Sequence, residues 1–492
     1  MTSSFEKPSS FEKPSSSQKP ATFQKPGSFQ KPPAPEKPAP PAKPEAPEKT
    51  FASRIAKLNR LVGQIDTRRS SGRLLAVTGP LVRADLPGAE VGELCELRDP
   101  DTGETRLAEV VGLDNATAFL APYGGNSGLS IRTEVVGLRR PPTVVCGDHL
   151  LGTVIDALGN FMQFEGTEPP RPGAESERRR ISAQAPDPMT REPIHKPLGI
   201  GIRAIDSLLT VGEGQRMGIF GTAGGGKSTL MSEIVMRSSA EVTVVALVGE
   251  RGREVNDFIE KALTKESRAK TVVVVATSDR PSVERMQASM TATAVAEHFR
   301  DRGMKVLLFV DTVTRLARAL REIGLSAGEP PGRRGFPPSV YSALPLLFER
   351  AGPAAVGSIT AFYTVLIEGD MNSDPVAEEV KSLLDGHIIL SEKLAGQNHY
   401  PAIDVLTSRS RLFNDVAGKE HQSAAGKLRE LLSRYQDLEL LIQVGEYKKG
   451  ADPLNDEAVK KIDQIKAFLR QRPGEIAPFE TTMTALNALA NA

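Results

Sequence analysis

RMGIFG (216–221) runs into GTAGGGKS (221–228), and TLMSEIVMRSS (229–239) follows directly. The first run has the composition of an apolar strand, and the second fits G-x-x-x-x-G-K-[ST] at each fixed position. The third run is helical in character. Glycines let the backbone turn successive N–H groups towards phosphate oxygens, and a helix N-terminus adds positive potential. This order of strand, loop and helix predicts a phosphate-binding loop at the edge of an α/β sheet.

The glycine-rich loop carries the predicted nucleotide contacts. Lys227 is expected to reach the β- and γ-phosphates, and the Ser228 hydroxyl is expected to bind Mg²⁺. A chance glycine-rich turn is the alternative, and the flanking strand and helix weigh against it. ATP and Mg²⁺ are therefore the predicted cofactors. The residues predicted to bind nucleotide are Gly221, Thr222, Ala223, Gly224, Gly225, Gly226, Lys227, Ser228 and Thr229.

Two carboxylates follow other apolar strands. VLLFVD (306–311) places Asp311 at its C-terminal end, the edge at which parallel sheets bind ligands. Together with the glycine loop, this predicts that Asp311 anchors Mg²⁺ in the Walker-B role. Glu250 follows VTVVALV (242–248), where a carboxylate can orient and deprotonate an attacking water. By spacing alone, a surface glutamate in a charged loop explains Glu250 equally well.

Apolar runs alternate with helical stretches from residue 195 to residue 410. Nearly continuous apolar strands between helices indicate a parallel sheet that is covered on both faces. The predicted fold class is therefore α/β. The remaining candidate strands are TVVVVA (271–276), GSITAFYTV (357–365) and HIIL (387–390).

The regions on either side of this pattern differ in composition. Short β-rich runs such as LCELRD and RLAEVVGL predict a small sandwich or barrel. A Pro- and Arg-rich stretch at 167–193 is interpreted as a linker, with Arg178–Arg180 in a solvated turn. Helical patterns over 418–472 predict an α-helical C-terminal domain. The predicted boundaries are a tail at 1–50, a lead-in segment at 51–71, a β domain at 72–142, a P-loop domain at 143–410 and a helical domain at 411–492.

A hexad repeat occupies the N-terminus. SSFEKP, SSFEKP, SSSQKP, ATFQKP, GSFQKP, PAPEKP and APPAKP follow one another from residue 3. Because a proline in each hexad forbids a continuous helix and the segment is polar, a disordered spacer is the favoured interpretation. A docking role for Phe5, Phe11, Phe23 and Phe29 is the alternative. Apolar residues at helical spacing over 51–65 predict a short amphipathic helix, either a lead-in helix or one that binds a partner.

The amino-acid composition disfavours several classes of function. The 492 residues include 62 Lys and Arg against 61 Asp and Glu, a balance that gives no sign of a nucleic-acid binder. Trp is absent and aromatic residues make up 5%, which disfavours a module that stacks bases. The two cysteines, Cys95 and Cys146, exclude a disulfide scaffold and suit a reducing cytosol. Neither a membrane-spanning apolar run nor a signal-peptide core occurs, so we expect a cytoplasmic protein.

Several long runs together resemble a known family. They include GIRAIDSLLTVGEGQRMGIFGTAGGGKSTL (201–230), LVGERGREVNDFIE (247–260), GEPPGRRGFPPSV (328–340) and PAIDVLTSRS (401–410). Over residues 72–472 the chain resembles the ATPases of type III secretion systems, which are relatives of the flagellar export ATPase and of the catalytic subunit of rotary ATP synthases. The resemblance implies a β-barrel, a nucleotide-binding domain of RecA type and a helical C-terminal domain. It also implies a homohexameric ring with ATP between neighbours.

The resemblance assigns roles to further residues. Glu250 falls on the family's catalytic glutamate, and Arg251 matches an arginine that contacts the γ-phosphate. Arg315 matches an arginine of the same pocket. Arg411 corresponds to an arginine finger that reaches the neighbour's nucleotide, a type of residue worth about 10³–10⁵ in rate. Tyr400 matches an aromatic residue that packs on adenine, with a core tyrosine as the alternative.

Some positions depart from the family pattern. The hexad tail has no counterpart in it. Arg409 stands two residues before Arg411, so the finger assignment can shift between the two. Glu392 and Lys393 occupy positions where family members often have two arginines. None of these departures falls within the sequence of the phosphate-binding loop.

The function implied is an ATP hydrolase that energises protein export by releasing substrates from chaperones, unfolding them and passing them to a membrane gate. The run at 328–340 looks more like injectisome members than flagellar ones. The implied partners are stator and central-stalk proteins, the export gate at the inner membrane and chaperone–substrate complexes, without nucleic acid. The expected location is the cytoplasm, peripheral to the inner face of the cytoplasmic membrane.

Three other functions use a similar core. A hexameric nucleic-acid translocase of the terminator type needs a basic, aromatic face, which the composition disfavours. A regulatory ring subunit that binds nucleotide without hydrolysing it typically lacks the glutamate after the strand, whereas Glu250 is present. The catalytic subunit of an ATP synthase is disfavoured by the proline-rich tail and by the injectisome-like run at 322–340.

Deletion of residues 1–50 is expected to leave ATPase activity and the melting temperature nearly unchanged, because this polar, proline-rich segment has no hydrophobic core to contribute. Steady-state kinetics and thermal unfolding of the purified truncated protein check this. Protein secretion, assayed in cells in parallel, reports separately on a docking role for the tail. A large fall in melting temperature would show that the tail packs on the body of the protein.

Overall fold

The computed structural model describes Ile55 and residues 70–115, 117–162, 168–222, 224–369 and 373–491. The predicted tail at 1–50, the lead-in helix at 51–65 apart from Ile55, and Ala223 lie outside these residues. Ile55 is helical. The chain divides into two units, Met1–Thr67 and Arg68–Ala492, and all elements below belong to the second.

The first six strands close into a barrel in the order β1-β2-β5-β4-β3-β6. Closure comes from β6, which pairs antiparallel with β1 so that Ser71 lies opposite Val136. Apolar side chains such as Leu74, Val110 and Leu120 fill the interior. The predicted small β domain is thus a barrel and not a sandwich. Its strands are β1 (Ser71–Thr78), β2 (Leu81–Asp85), β3 (Leu94–Arg98), β4 (Thr105–Asp114), β5 (Thr117–Pro122) and β6 (Glu134–Gly137).

A two-stranded antiparallel ribbon follows the barrel, and it corrects one expectation. Strand β7 (Thr143–Cys146) pairs with β9 (Glu177–Arg180), so Arg178–Arg180 belong to a strand and not to a turn, while Arg178 and Arg180 are exposed to solvent as predicted. Arg179 forms ion pairs with Glu177 and Asp301, which explains why a run of arginines tolerates a sheet position. Between the two strands, β8 (Val154–Asp156) joins the edge of the central sheet.

In the described part of the chain the central sheet has nine strands, ordered β17-β16-β10-β15-β13-β11-β12-β8 with β14 paired to β15. Its inner strands are parallel, as the apolar runs predicted. Along β13, Leu308 and Val310 face one core layer and Leu307 and Phe309 the other, so both faces are buried. The remaining strands are β10 (Arg216–Gly221), β11 (Val242–Val248), β12 (Thr271–Ala276), β13 (Lys305–Asp311), β14 (Gly352–Pro353), β15 (Ser358–Leu366), β16 (Gly386–Ile389) and β17 (Arg409–Ser410).

Helices cover both faces of this sheet and form the C-terminal region. A π-helical turn, Phe258–Ala262, continues α3. None of the described helices is both long and apolar enough to cross a membrane. The helices are α1 (Arg203–Leu208), α2 (Lys227–Arg237), α3 (Gly252–Asp257), α4 (Lys265–Ala269), α5 (Ser282–Asp301), α6 (Val313–Ser326), α7 (Pro338–Phe348), α8 (Pro375–Leu383), α9 (Glu392–Gly396), α10 (Phe413–Val416), α11 (Lys419–Gln443), α12 (Pro453–Leu469) and α13 (Phe479–Asn491).

The C-terminal helices share a core with the sheet. Leu428 of α11, Ile465 of α12 and Leu486 of α13 are buried in the same cluster as Ile205 of α1. Helix α13 follows the helical patterns recognised at 418–472 and lies within the predicted helical domain at 411–492. This shared core places the segment between α12 and α13 close to the start of α1.

One ion pair lies deep in the other core layer. The guanidinium of Arg350, 2% exposed, donates to both carboxylate oxygens of Glu297 on α5, each at 2.8 Å. A third bond of 2.8 Å runs from Arg350 to the carbonyl of Ile181, in the chain segment after β9. The ion pair therefore joins three separate segments of the chain. An unpaired charge at this buried position would destabilise the fold.

Replacing Arg350 by Met strands the Glu297 carboxylate in the core, so it should lower the free energy of unfolding by about 3–5 kcal/mol. The double variant Arg350→Met/Glu297→Leu should recover most of that loss. Lys393→Met is the matched control, because Lys393 is exposed and its 3.0 Å pair with Glu439 should contribute about 0–1 kcal/mol. Denaturant unfolding measures all three, and equal losses in the two single variants would contradict the argument.

Candidate active site

The parallel register of the sheet brings the predicted phosphate-site residues to one edge. Gly221, the last residue of β10, lies opposite Leu366 of β15. On the far side of β15, Asp311 of β13 lies opposite Leu247 of β11. Strands β10, β13 and β11 therefore end together, and the loop after each begins at the same edge.

The glycine loop has the backbone that the motif requires. Gly224 and Gly226 have φ angles of 80° and 86°, in the left-handed region that favours glycine. Helix α2 begins at Lys227, and among the described residues no side chain caps its N-terminus. Its first backbone N–H groups thus remain available to phosphate oxygens.

Lys227 is held inside the loop. Its ammonium donates to the carbonyls of Gly221 and Thr222, at 2.8 and 2.7 Å. Burial lowers the pKa of Lys227, while the carboxyls of Asp311 and Glu250 act in the opposite direction. A cation that sits on weak carbonyl acceptors can exchange them for the stronger negative charge of a phosphate.

Glu250 is clamped by Arg315, which lies on α6. The Nε and Nη2 groups of Arg315 lie 3.0 and 3.2 Å from the two carboxylate oxygens of Glu250, and Nη1 donates to the carbonyl of Gly249. Burial raises the pKa of Glu250 to about 8, and a hydrogen bond with Glu254 and the charge of Asp311 add to the rise, whereas Arg315 opposes it. The 8% exposure of Glu250 excludes the surface-glutamate interpretation.

Asp311 is the other buried carboxyl at this edge. Thr364 on β15 donates its hydroxyl to one oxygen of Asp311. Burial raises the pKa of Asp311, while Thr364 and the charge of Lys227 lower it. The side chain is therefore fixed on one oxygen by a neighbouring strand.

Ser228, Glu250 and Asp311 line one cavity of about 450 Å³. Its hydroxyl and carboxylate oxygens are the donors that a hard cation such as Mg²⁺ prefers. Within the described residues, no group of three or more His, Cys, Asp or Glu side chains is placed to hold a metal alone. The oxygen donors present would therefore suit Mg²⁺ together with oxygen ligands from outside the protein. The polar residues that line the cavity are Ser228, Thr229, Ser232, Glu233, Glu250, Glu254, Asp257, Lys261 and Asp311.

A second cavity, of about 350 Å³, lies on the other side of the loop. Tyr400, 42% exposed, lines it together with the loop glycines, so the core-tyrosine alternative does not hold. A segment from the C-terminal region, Gln471 to Pro473, forms part of its wall. Sequence reasoning missed this segment, because no local motif marks it and two long helices separate it from Tyr400.

Neither Arg251 nor Arg411 lines either of these cavities. Arg251 is 78% exposed at its side chain and lies 3.7 Å from Glu254. Arg411 is exposed and donates to the carbonyls of Lys381 and Ser382, at 3.2 and 3.5 Å. It lines a third cavity, of about 660 Å³, together with the basic side chains Lys381, His387, Arg409 and Arg429.

Three parts of the chain each match a domain of a known family. Residues 74–139 match the beta-barrel domain of the ATP synthase alpha/beta family, and residues 201–410 match the nucleotide-binding domain of the same family. Residues 417–488 match the T3SS EscN ATPase C-terminal domain. The barrel, sheet and helical region described above coincide with these three matches.

Individual proteins match over most of the chain. The type 3 secretion system ATPase of Sinorhizobium fredii is 51% identical over 437 residues, which cover 89% of this chain and 96% of that protein. The assembled ATPase EscN of the enteropathogenic E. coli type III secretion system matches with a TM-score of 0.80 and 45% identity, over 85% of this chain and 100% of the other. EscN in complex with its central stalk EscO matches with a TM-score of 0.78 and 44% identity, over 85% and 100%. The chain belongs to the type III secretion ATPases of the ATP synthase alpha/beta family.

Proposed function

We propose that this protein hydrolyses ATP to energise type III protein export, in an injectisome rather than a flagellum. One observation carries the proposal: the phosphate-binding loop, a buried glutamate and a buried aspartate meet at a single sheet edge in a chain of this family. The family match of the C-terminal helices to EscN and the run at 328–340 support the injectisome assignment. The work of export is then the release and unfolding of chaperone-bound substrates.

The glycine-rich loop and its lysine bind the phosphates. The backbone N–H groups from Gly221 to Thr229 cradle the phosphates, and Lys227 moves from its two carbonyl partners to the β- and γ-phosphate oxygens. Ser228 and Asp311 are the residues that would hold Mg²⁺. When bound, Mg²⁺ neutralises negative charge on the phosphate oxygens. The base packs against Tyr400 in the second cavity.

Glu250 acts as the general base. A water oxygen attacks the γ-phosphorus while the bond from that phosphorus to the bridging oxygen of ADP breaks, and Glu250 accepts the proton that the water loses. The raised pKa of Glu250 suits this role, because a base near neutrality combines availability with driving force. Arg315 positions the carboxylate through its two-pronged contact, and Arg251 is proposed to contact the γ-phosphate.

The site is proposed to be completed by a neighbouring subunit. Arg411 is exposed, bonds to two uncharged backbone carbonyls and lies outside the cavities that the loop lines, so we propose that it serves another protomer. The assembled structure of the relative EscN supports a ring, and we propose six identical subunits with ATP at each interface. Arg411 then stabilises charge on the neighbour's γ-phosphate.

The remaining partners follow from the same assignment. The complex of EscN with EscO supports a central-stalk partner for this chain. We further propose contacts with a stator protein, with the export gate at the inner membrane and with chaperone–substrate complexes, and none with nucleic acid. With these contacts we propose a cytoplasmic location, peripheral to the inner face of the cytoplasmic membrane.

Glu250→Gln should bind ATP with nearly normal affinity and lower kcat by at least about 10²-fold, because the amide cannot accept the proton. Phosphate release measures kcat, and fluorescence of a bound ATP analogue measures affinity. Lys227→Ala is the companion variant, and it should lose both activity and affinity because the phosphates lose their main cation. Wild-type turnover by Glu250→Gln would overturn the assignment of the base.

A further inference from the structure

Residues 470–475, called here the wall segment, follow α12, and Gln471, Arg472 and Pro473 line the cavity beside Tyr400. The segment has no helix or strand of its own. Its position is therefore set by side-chain and backbone bonds to other elements. The P-loop domain residues that share this cavity with it are Ile202, Gly224, Gly226, Thr229, Leu230, Glu233, Arg237, Leu390, Tyr400, Pro401 and Ala402.

Gln471 is the central residue of these bonds. Its backbone N–H donates to the carbonyl of Tyr400 at 2.8 Å. Its side-chain oxygen accepts from the N–H of Arg203, and its side-chain nitrogen donates to the carbonyls of Gly201 and Glu475, each at 2.9 Å. The residue is 5% exposed. Because both amide hydrogens are already used within the protein, Gln471 acts by holding other groups in place rather than by binding a ligand itself.

The guanidinium of Arg203 also bonds to the wall segment. Its Nε donates to the carbonyl of Phe468 at 2.7 Å, and its Nη2 donates to the carbonyl of Arg470. Its Nη1 pairs with Glu475, and that hydrogen bond lowers the pKa of the Glu475 carboxyl. One guanidinium thus fastens the end of α12 and both ends of the wall segment.

The wall segment is also joined to the helix that begins at the phosphate-binding loop. Arg237 on α2 donates to the carbonyl of Arg472 at 3.3 Å. The N–H of Gly474 lies 3.4 Å from both carboxylate oxygens of Glu233, also on α2. The wall segment therefore contacts the start of α1, the loop that carries Tyr400, and α2.

We propose that Gln471 and Arg203 are positioning residues for nucleotide binding, which hold the wall segment at a fixed distance from Tyr400 so that the base fits between them. The proposal rests on the proposed placement of the base in this cavity. Neither side chain needs to touch the phosphates. Loss of either residue should therefore weaken binding of the base while phosphate binding by the loop is retained.

The experiment compares two probes, ATP and inorganic tripolyphosphate, which lacks the base and the sugar. Gln471→Ala removes three of the bonds described above, and Arg203→Gln removes the guanidinium contacts to the wall segment. Each variant should raise the Kd and the KM for ATP about tenfold, while kcat and the Kd for tripolyphosphate change less than about twofold. A purely structural defect would instead lower kcat and the active fraction, with the ratio of the two Kd values unchanged.

Two controls make the result decisive. Arg434→Ala breaks contacts of 3.3 Å to Asp452 and Asn455 at the remote end of the α11–α12 hairpin, so it should leave the ratio of Kd values unchanged. Tyr400→Ala tests the base site itself and should raise the Kd for ATP alone. If Tyr400→Ala has this effect while Gln471→Ala and Arg203→Gln do not, the positioning role is overturned and the base site stands. If Tyr400→Ala leaves the Kd for ATP unchanged, the proposed placement of the base is wrong, and the positioning role is overturned with it.

Discussion

The parallel hydrogen bonding of β10, β15, β13 and β11 is the constraint on which the rest of the site depends. Three strands that end in register deliver a glycine loop, a glutamate and an aspartate to one edge, although some 90 residues separate the first from the last. The strands are buried on both faces, so a slip in register would move each side chain into the opposite core layer and disrupt its packing. The stability of the sheet and the geometry of the site therefore have the same origin.

The charged and polar side chains buried at this edge shift one another's pKa values. The carboxyls of Glu250 and Asp311 are both removed from water, which raises the pKa of each. Arg315, Thr364 and Lys227 supply the opposing charge and hydrogen bonds. Such a balance lets a carboxyl remain fixed in place and still change its protonation, which a general base requires.

The sequence predicted the parts of the fold and site that are encoded locally. GTAGGGKS marked the loop, and the predicted strands at 242–248 and 271–276 have the bounds seen in the structure. Contacts between elements that are distant in the chain left no local signal: the Arg315–Glu250 contact depends on a loop and a helix meeting at one edge, and Gln471 reaches Tyr400 only after two helices have folded back. The run Arg178–Arg180 was misjudged because its acidic partner Asp301 is distant in sequence.

We propose that each active site of the ring needs Arg411 from a neighbouring subunit. The direct test is co-assembly of Lys227→Ala, which keeps Arg411, with Arg411→Ala, which keeps the loop, by co-expression under two affinity tags. Each variant alone should be inactive. Mixed rings should regain up to about a quarter of the wild-type rate, since that fraction of randomly formed interfaces pairs an intact loop with an intact arginine. Mixed rings as inactive as the two parents would contradict a shared site.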